Sequence, residues 1–230
     1  MRDKLKSVEY FDEYIIRNNN RIKRFQTNIE NGETKEERII PVKAVIQDIK
    51  LQILLAKYSR GDEIEGLEKD FLELVSNWEE VWEPEYYNKN INIISLGVLF
   101  GVNIDFAQRA KELLNKSHIE DWLMFYLLDS LENKPIDHNM KILWHKYYTN
   151  LKRAVLEEDK DEKVNILKQY LKKNWYNSDC GCYAAHKSDL NIYYGYWSLE
   201  AGAVAKTLDI DDEILKDVKY YPYDLVHYKK

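Results

Sequence analysis

Residues 191–228 read NIYYGYWSLEAGAVAKTLDIDDEILKDVKYYPYDLVHY and combine many aromatic side chains with many small ones. Spacings of three, four or seven residues predict one apolar face of a helix, formed by Tyr193, Trp197, Val204 and Leu208. A second face has only small side chains, those of Gly195, Ser198, Gly202 and Ala205. A glycine inside a helix costs about 1 kcal/mol relative to alanine, so we expect another backbone to approach this small face closely. The pattern therefore predicts a central helix.

The end of this region predicts a short helix followed by an extended strap. An aspartate of the run Asp209-Ile210-Asp211-Asp212 is suited to cap a helix over residues 213–218. Residues 220–224 contain Pro222, which disfavours helix at the residue before it, so we expect them to be extended. Within this stretch, we assign five residues to the structural core: Trp197, Glu200, Gly202, Tyr223 and Asp224.

Glu200 has two interpretations, because a carboxylate lies here on an apolar helix face. It can be a catalytic acid or base. It can also be a buried glutamate satisfied by tyrosine hydroxyls, an indole N–H or a basic partner. No second acid, nucleophile or metal-ligand set accompanies Glu200 in the sequence, so we favour the structural interpretation.

Most of the remaining chain has helical periodicity, and only 8 glycines and 4 prolines interrupt its 230 residues. Asn31-Gly32 ends a first long helix, and Asn103 is suited to cap another one. We find no strand-like alternation. The sequence therefore predicts an all-α fold of two packed helical-bundle domains, residues 1–117 and 118–230, with a tyrosine-rich extended strap at the C-terminal end.

Composition and charge exclude several classes of protein. No apolar run reaches the roughly 20 residues that cross a bilayer, and the first residues lack the apolar segment of a signal peptide, so we expect a cytoplasmic protein. The net charge is −6, and residues 61–85 hold ten acidic residues against Lys69 alone. A negative surface repels nucleic acid and attracts basic proteins, which disfavours direct DNA binding.

The only metal-like pattern is Cys180-Gly181-Cys182 with His186 nearby. A structural zinc site needs four ligands, commonly as two spaced pairs, and the sequence has no second pair. We therefore interpret these residues as ordinary loop cysteines and predict neither a metal nor a cofactor. Phosphate-binding, hydrolase and calcium-loop motifs are also missing from the sequence.

Residues 64–81 have the cleanest helical pattern, with apolar residues at intervals of three and four. The acidic residues on the opposite face are Asp62, Glu65, Glu73, Glu80 and Glu83. Like charges three or four residues apart destabilise a helix by roughly 0.2–0.5 kcal/mol per pair. This face is either an ordinary solvated surface or a binding surface for a basic partner. Trp82 is the candidate aromatic anchor of such a surface, because Trp78 belongs to the inward stripe.

The run YYGYWSLEAGAVAKTLDIDD with the later YYPYDLVHY resembles the C-terminal domain of PoNi immunity proteins. Three upstream segments agree in order: YSRG at residues 58–61, NIISLGVLFGV at residues 92–102 and LKQYLKKNWY at residues 167–176. The resemblance covers nearly the whole chain. It implies an N-terminal and a C-terminal helical domain. The cysteine-rich loop at residues 180–182 departs from the family's pattern.

This resemblance implies a protein that protects a bacterial cell from a polymorphic-toxin nuclease, expected here to be a DNase. The sequence adds a compatible mechanism, in which Glu65, Glu73, Glu80, Trp82 and Glu83 cover a basic substrate-binding surface of the toxin. The alternatives are an enzyme that binds a small molecule or a peptide in a cleft around Glu200, and a scaffold that only mediates assembly. The oligomeric state stays open.

Overall fold

The computed structural model describes residues 1–177 and 183–229, and of His145 only the backbone. The predicted all-α class is confirmed, since helices and irregular segments make up this part of the chain and no strand occurs in it. Among the described helices, none has both the length and the apolar character that crossing a bilayer requires. The chain forms two compact units, Met1–Glu83 with Ala184–Tyr196, and Pro84–Tyr183 with Trp197–Lys230. Neither unit is contiguous in sequence, and the domain division at residues 117 and 118 stays a prediction.

The first unit is built on helices α1 (Val8–Glu30), α2 (Glu36–Arg60) and α3 (Ile64–Val75). Helix α2 packs against both of the others. Gly61 ends α2 with a left-handed backbone, φ 107°, and its N–H donates to the carbonyl groups of Lys57 and Tyr58. This turn reverses the chain so that α3 lies against α2.

The segment Ala184–Tyr196 is held in the first unit by hydrogen bonds from Tyr193 and to Tyr194. The hydroxyl group of Tyr193 donates to Asp3, which is buried. Its backbone N–H donates to the Tyr10 hydroxyl over 2.9 Å. The hydroxyl of Ser59 donates to the Tyr194 carbonyl over 2.9 Å.

Helix α3 is shorter than its apolar pattern predicted. It ends at Val75, and the backbone leaves the helical conformation at Asn77, with φ −125° and ψ 27°. A separate 3₁₀ turn, Trp78–Val81, follows. Trp78 and Val81 are nevertheless buried, so the apolar stripe continues across the break. Glu80 and Glu83 consequently lie outside α3.

The second unit contains the other seven α-helices of the described residues, two of which are joined by a lysine side chain. The helices are α4 (Tyr87–Phe100), α5 (Ile104–Lys116), α6 (Trp122–Glu132), α7 (His145–Leu156), α8 (Lys160–Tyr170), α9 (Leu199–Leu208) and α10 (Tyr223–Val226). Asn103 caps α5 as predicted, since its side chain accepts from the Phe106 N–H. A lysine fixes α4 near α9: Lys206 Nζ donates to the Leu99 carbonyl over 2.6 Å.

Helix α9 begins later than the sequence predicted. It starts at Leu199 instead of before Tyr193. Gly195 has a left-handed backbone, φ 118°, which a helix does not accommodate. The Ser198 N–H donates to the Tyr220 carbonyl over 2.8 Å instead of entering a helical turn. The helix prediction for residues 193–198 is therefore wrong.

The small face of α9 does meet a close neighbour, although that neighbour is a side chain and not a backbone. A Cβ atom added to Gly202 would lie 2.5 Å from Pro222 Cγ and 3.2 Å from Val226 Cγ2. Glycine at position 202 thus allows the C-terminal segment to lie directly on α9. The predicted close approach to the small face is therefore present, and the Pro222 side chain is the group that makes it.

The C-terminal segment differs from the prediction in two details. The short helix is only a 3₁₀ turn, Glu213–Leu215. An aspartate lies at its start as predicted, since Asp211 Oδ1 accepts from the Glu213 N–H over 3.2 Å, while Asp212 is buried and makes no capping hydrogen bond with its side chain. Asp212 accepts hydrogen bonds from the Tyr221 hydroxyl and from His227 Nε2, the latter over 2.9 Å. The segment also ends in the helical turn α10 instead of staying extended through residue 224.

Candidate partner-binding surface

Three lysines of α2 form ion pairs with acidic residues of α3 and of the following 3₁₀ turn. The pairs are Lys43–Glu80, Lys50–Glu73 and Lys57–Asp70, with nitrogen–oxygen distances of 2.5–2.6 Å. The lysines are seven residues apart, so two helical turns separate neighbours and all three lie on one side of α2. These pairs join α2 to the acidic segment along one edge of the first unit.

Arg60 adds a fourth contact at the end of α2. Its guanidinium donates to both carboxylate oxygens of Asp62, over 2.8 and 2.7 Å, and to Asp12. The hydrogen bonds from Arg60 to Asp62 are the largest cause of the raised pKa of Arg60. A bidentate pair of this kind has a fixed geometry, which holds the start of the acidic segment in place.

The paired acids stay ionised. The hydrogen bond from Lys50 lowers the pKa of Glu73 below its ordinary value of 4.5, and the hydrogen bond from Lys43 does the same for Glu80. Both side chains are well exposed, 70% for Glu73 and 39% for Glu80, so solvent screens these pairs strongly. The lysines therefore position the two carboxylates more than they stabilise the fold.

We call residues 62–83 together with Lys43, Lys50, Lys57 and Arg60 the acidic patch. This set contains nine acidic residues and five basic ones, namely Lys69 and the four cations of α2. Its net charge is therefore −4. The sequence of residues 62–83 contains only Lys69 as a basic residue, and the structure adds the four cations of α2. The patch stays negative, but roughly half of its charge is neutralised within the molecule.

The predicted partner-binding residues occupy different places in this patch. Glu65 is exposed in the first turn of α3, Glu73 and Glu80 are held by lysines, and Glu83 is partly exposed. Trp82 is partly exposed, and its ring lies edge-on to buried Trp78, with 5.3 Å between the ring centroids. Sequence reasoning missed the lysines of α2. Their heptad spacing, beside a segment rich in acids, was the available signal.

A cleft of about 260 Å³ opens beside these ion pairs, between α1, α2 and the end of α3. We call it the Gln47 cleft. Lys43 and Lys50 line it together with Gln47, which is 4% exposed. Gln47 Nε2 donates to the Leu74 carbonyl over 3.3 Å, whereas Gln47 Oε1 is buried without a hydrogen-bond partner.

Glu200 lies in the second unit and is almost fully buried, at 3% exposure. It accepts hydrogen bonds from the Tyr170 hydroxyl over 2.6 Å and from the Ser198 hydroxyl over 2.8 Å. Burial raises the pKa of Glu200, while hydrogen bonds from Tyr170, Ser198 and the Trp175 side chain partly oppose this shift. These contacts occupy the carboxylate, which is the arrangement of a structural buried acid.

The other residues assigned to the core differ in burial. Gly202 is buried on α9. Trp197 and Tyr223 are partly exposed, and the Tyr223 hydroxyl donates to Glu213. Asp224 is exposed, because it lies on the outer side of the single turn α10, so its assignment to the core is wrong.

No cluster of three or more potential metal ligands occurs within residues 1–177 and 183–229. His186 of the predicted cysteine–histidine pattern has its Nδ1 2.7 Å from the Tyr196 hydroxyl. Cys180 and Cys182 lie outside the described residues.

Family models of the PoNe immunity proteins match both parts of the chain. The N-terminal model matches residues 2–112, and the C-terminal model matches residues 119–225. The two matches define an immunity protein, which protects a cell against a toxin. The chain belongs to the PoNi family, the immunity proteins of PoNe, and the toxin that it counters is a polymorphic nuclease.

One solved structure has a similar fold. It is the crystal structure of protein PA2201 from Pseudomonas aeruginosa, with a TM-score of 0.73 and 17% sequence identity over 99% of this chain and 89% of that chain. At this identity the likeness concerns the fold alone. A comparison with curated proteins gave no match.

Proposed function

We propose that this protein neutralises a DNase toxin in the cytoplasm by covering the toxin's basic DNA-binding surface with the acidic patch. The observation that carries the proposal is the net charge of −4 on the patch, which remains after the cations of α2 are counted. Family membership supplies the nuclease target, and the patch supplies a surface of the opposite charge.

The chemistry of a DNase explains why charge matters. A protein that binds DNA must present lysine and arginine side chains to the phosphate backbone. A negative protein surface competes with DNA for those side chains. Opposite charges also accelerate the encounter, and the acceleration falls as ionic strength rises.

The lysine pairs give the patch a defined shape. Surface ion pairs contribute little to stability, about 0–1 kcal/mol each. Their proposed role is to hold the carboxylates of Glu73 and Glu80 in place before the toxin arrives, which reduces the ordering cost of binding. Trp82, supported by Trp78, is the proposed aromatic anchor.

The experiment measures association of the purified chain with the nuclease domain of its cognate toxin at low and high salt. Glu65→Lys changes an exposed acid of the patch, and Glu120→Lys changes an exposed acid of the second unit as a matched control. We expect Glu65→Lys to slow association severalfold at low salt and Glu120→Lys to have a smaller effect. Equal rates for both variants would overturn the proposed surface.

An enzyme acting through Glu200 is not favoured. Its carboxylate already accepts hydrogen bonds from Tyr170 and Ser198. A catalytic acid or base must instead reach a substrate proton. The proposed role of Glu200 is to join α9 to α8 through these hydrogen bonds.

A further inference from the structure

The size and the lining of the Gln47 cleft suit the binding of one long side chain. Its walls include the apolar side chains of Ile29, Ile46 and Leu74. Its volume of about 260 Å³ is below the roughly 300–1,000 Å³ that is typical of small-molecule pockets. Apolar walls of this kind suit the methylene stem of a lysine or arginine.

The wall of the cleft formed by Gln47 holds an unused hydrogen-bond acceptor. Gln47 is 4% exposed, and its Oε1 has no hydrogen-bond partner in the protein. Buried acceptors are satisfied in the great majority of cases, so each exception calls for an explanation. A donor brought by a partner would satisfy Oε1.

The charges around the cleft favour a cation over an anion. Lys43 and Lys50 line it but already donate to Glu80 and Glu73, and Glu30 adds a further carboxylate. These five side chains have a net charge of −1. An anion would be repelled by this charge and could not donate a hydrogen bond to Gln47 Oε1. A cationic donor would be attracted by the negative charge and could donate to Oε1.

We propose that the Gln47 cleft receives an arginine side chain of the toxin. This inference rests on the proposed function, since a DNA-binding surface is rich in arginine and would face the acidic patch. The guanidinium has five donors in a planar fork and is weakly hydrated, so it suits a partly buried site with several acceptors better than an ammonium group does. It would donate to Gln47 Oε1 and to a carboxylate at the rim.

The first test titrates the full chain with N-acetylarginine amide and follows the Gln47 side-chain amide signal by ¹H–¹⁵N NMR. N-acetylcitrulline amide is the neutral control of similar shape, and N-acetylglutamate amide is the anionic control. We expect a saturable shift with the arginine probe and at least tenfold weaker binding of both controls. Equal binding of the arginine and citrulline probes, a preference for the glutamate probe or an unmoved Gln47 signal would overturn the inference.

The second test uses two variants with the same probe. Gln47→Met keeps the length of the side chain and removes the acceptor, and we expect it to weaken arginine binding about tenfold or more. Glu30→Gln changes only an exposed rim residue and keeps the test valid should Gln47→Met fail to fold. We expect this rim variant to weaken binding of the arginine probe severalfold. Unchanged binding in a folded Gln47→Met protein, or in Glu30→Gln when the first variant does not fold, would overturn the inference.

Different experiments test the cleft inference and the proposed function. The probe experiments need no toxin, so loss of the arginine preference would remove the cleft inference while toxin binding stands. Failure of the wild-type chain to bind the toxin domain would remove the proposed function, whatever the probe result.

Discussion

Lys50 and Glu73 form an ion pair of 2.6 Å that joins α2 to the acidic face of α3. The pair neutralises one carboxylate of a surface that the sequence alone presents as uniformly negative. It also holds that carboxylate next to Lys50, which lines the Gln47 cleft. The surface is therefore defined by two helices, and predictions about it must consider both.

Replacing Lys50 tests whether its ion pair with Glu73 mainly affects the stability of the fold or the charge of the acidic patch. We expect Lys50→Gln to lower the free energy of unfolding by less than about 1 kcal/mol, because the pair is exposed. The same variant makes the patch more negative by one charge, so toxin association at low salt should become faster. Urea unfolding and stopped-flow association measure the two effects. Lys116→Gln, which alters an exposed pair with Glu112 on α5, is the control, and slower association of Lys50→Gln would refute electrostatic steering.

Replacing Gly202 by alanine tests the packing of the C-terminal segment on α9. The new methyl group would lie 2.5 Å from Pro222 Cγ, and overpacking of this kind costs about 1–3 kcal/mol. We expect this cost to exceed the gain of up to about 1 kcal/mol in helix propensity. Thermal unfolding measures the difference.

Gly66 provides the matched control for this prediction. It lies inside α3, and a Cβ atom there would meet nothing within 4 Å. Gly66→Ala should therefore stabilise the protein by up to about 1 kcal/mol. If both alanine variants were stabilising, the close approach of Pro222 to α9 would be disproved.

Glu200 should give stability a specific pH dependence. Burial raises its pKa above the ordinary value of 4.5, so the folded state holds the proton more tightly than the unfolded state does. The stability that protonated Glu200 contributes is complete below pH 4.5 and is lost as pH rises through its folded pKa. Glu200→Gln stays neutral, so its stability relative to wild type should increase as pH rises from 4 to 8.

Urea unfolding of both proteins across this pH range is the measurement. If the difference in the free energy of unfolding between the two proteins did not change with pH, burial would not raise the pKa of Glu200. The same variant also addresses the enzyme alternative. We expect a folded Glu200→Gln protein to bind the toxin domain as wild type does.

Tyr221 and Tyr223 offer a matched pair of hydroxyl deletions. The Tyr221 hydroxyl donates to buried Asp212, whereas the Tyr223 hydroxyl donates to exposed Glu213. We expect Tyr221→Phe to cost about 1.5–3 kcal/mol, the range for a hydrogen bond to a charged group. Tyr223→Phe should cost clearly less, because water replaces its hydrogen bond to exposed Glu213. Thermal unfolding compares them, and equal costs would contradict the structural role of Asp212.

The positions of most helices followed from local patterns, because caps and apolar spacing act within a few residues. Asn103 capped α5 as its sequence predicted, and the apolar stripe correctly placed Trp78 and Val81 in the core. The end of α3 was missed because the apolar spacing continues through Trp78 and Val81, although the backbone leaves the helical conformation at Asn77. The start of α9 was missed because Gly195 has a left-handed backbone and the Ser198 N–H bonds to the carbonyl of Tyr220, which is far away in the sequence.

The candidate surface was only partly predictable for a related reason. The acids were visible as a local charge run, whereas Lys43 and Lys50 lie 37 and 23 residues away from their partners. Such pairs require the helices to be placed first. The unsatisfied acceptor of Gln47 has no sequence signal, because an isolated glutamine among apolar residues of α2 gives no information about its partners.

If the proposed function is correct, this protein and DNA compete for one surface of the toxin. The most direct measurement adds a fluorescent DNA duplex to the preformed complex of the chain with a cleavage-inactive toxin domain, and follows fluorescence anisotropy together with the mass of the species in solution. We expect DNA to bind only as the chain is released, with no complex containing all three components. A stable complex of toxin, chain and DNA would contradict it.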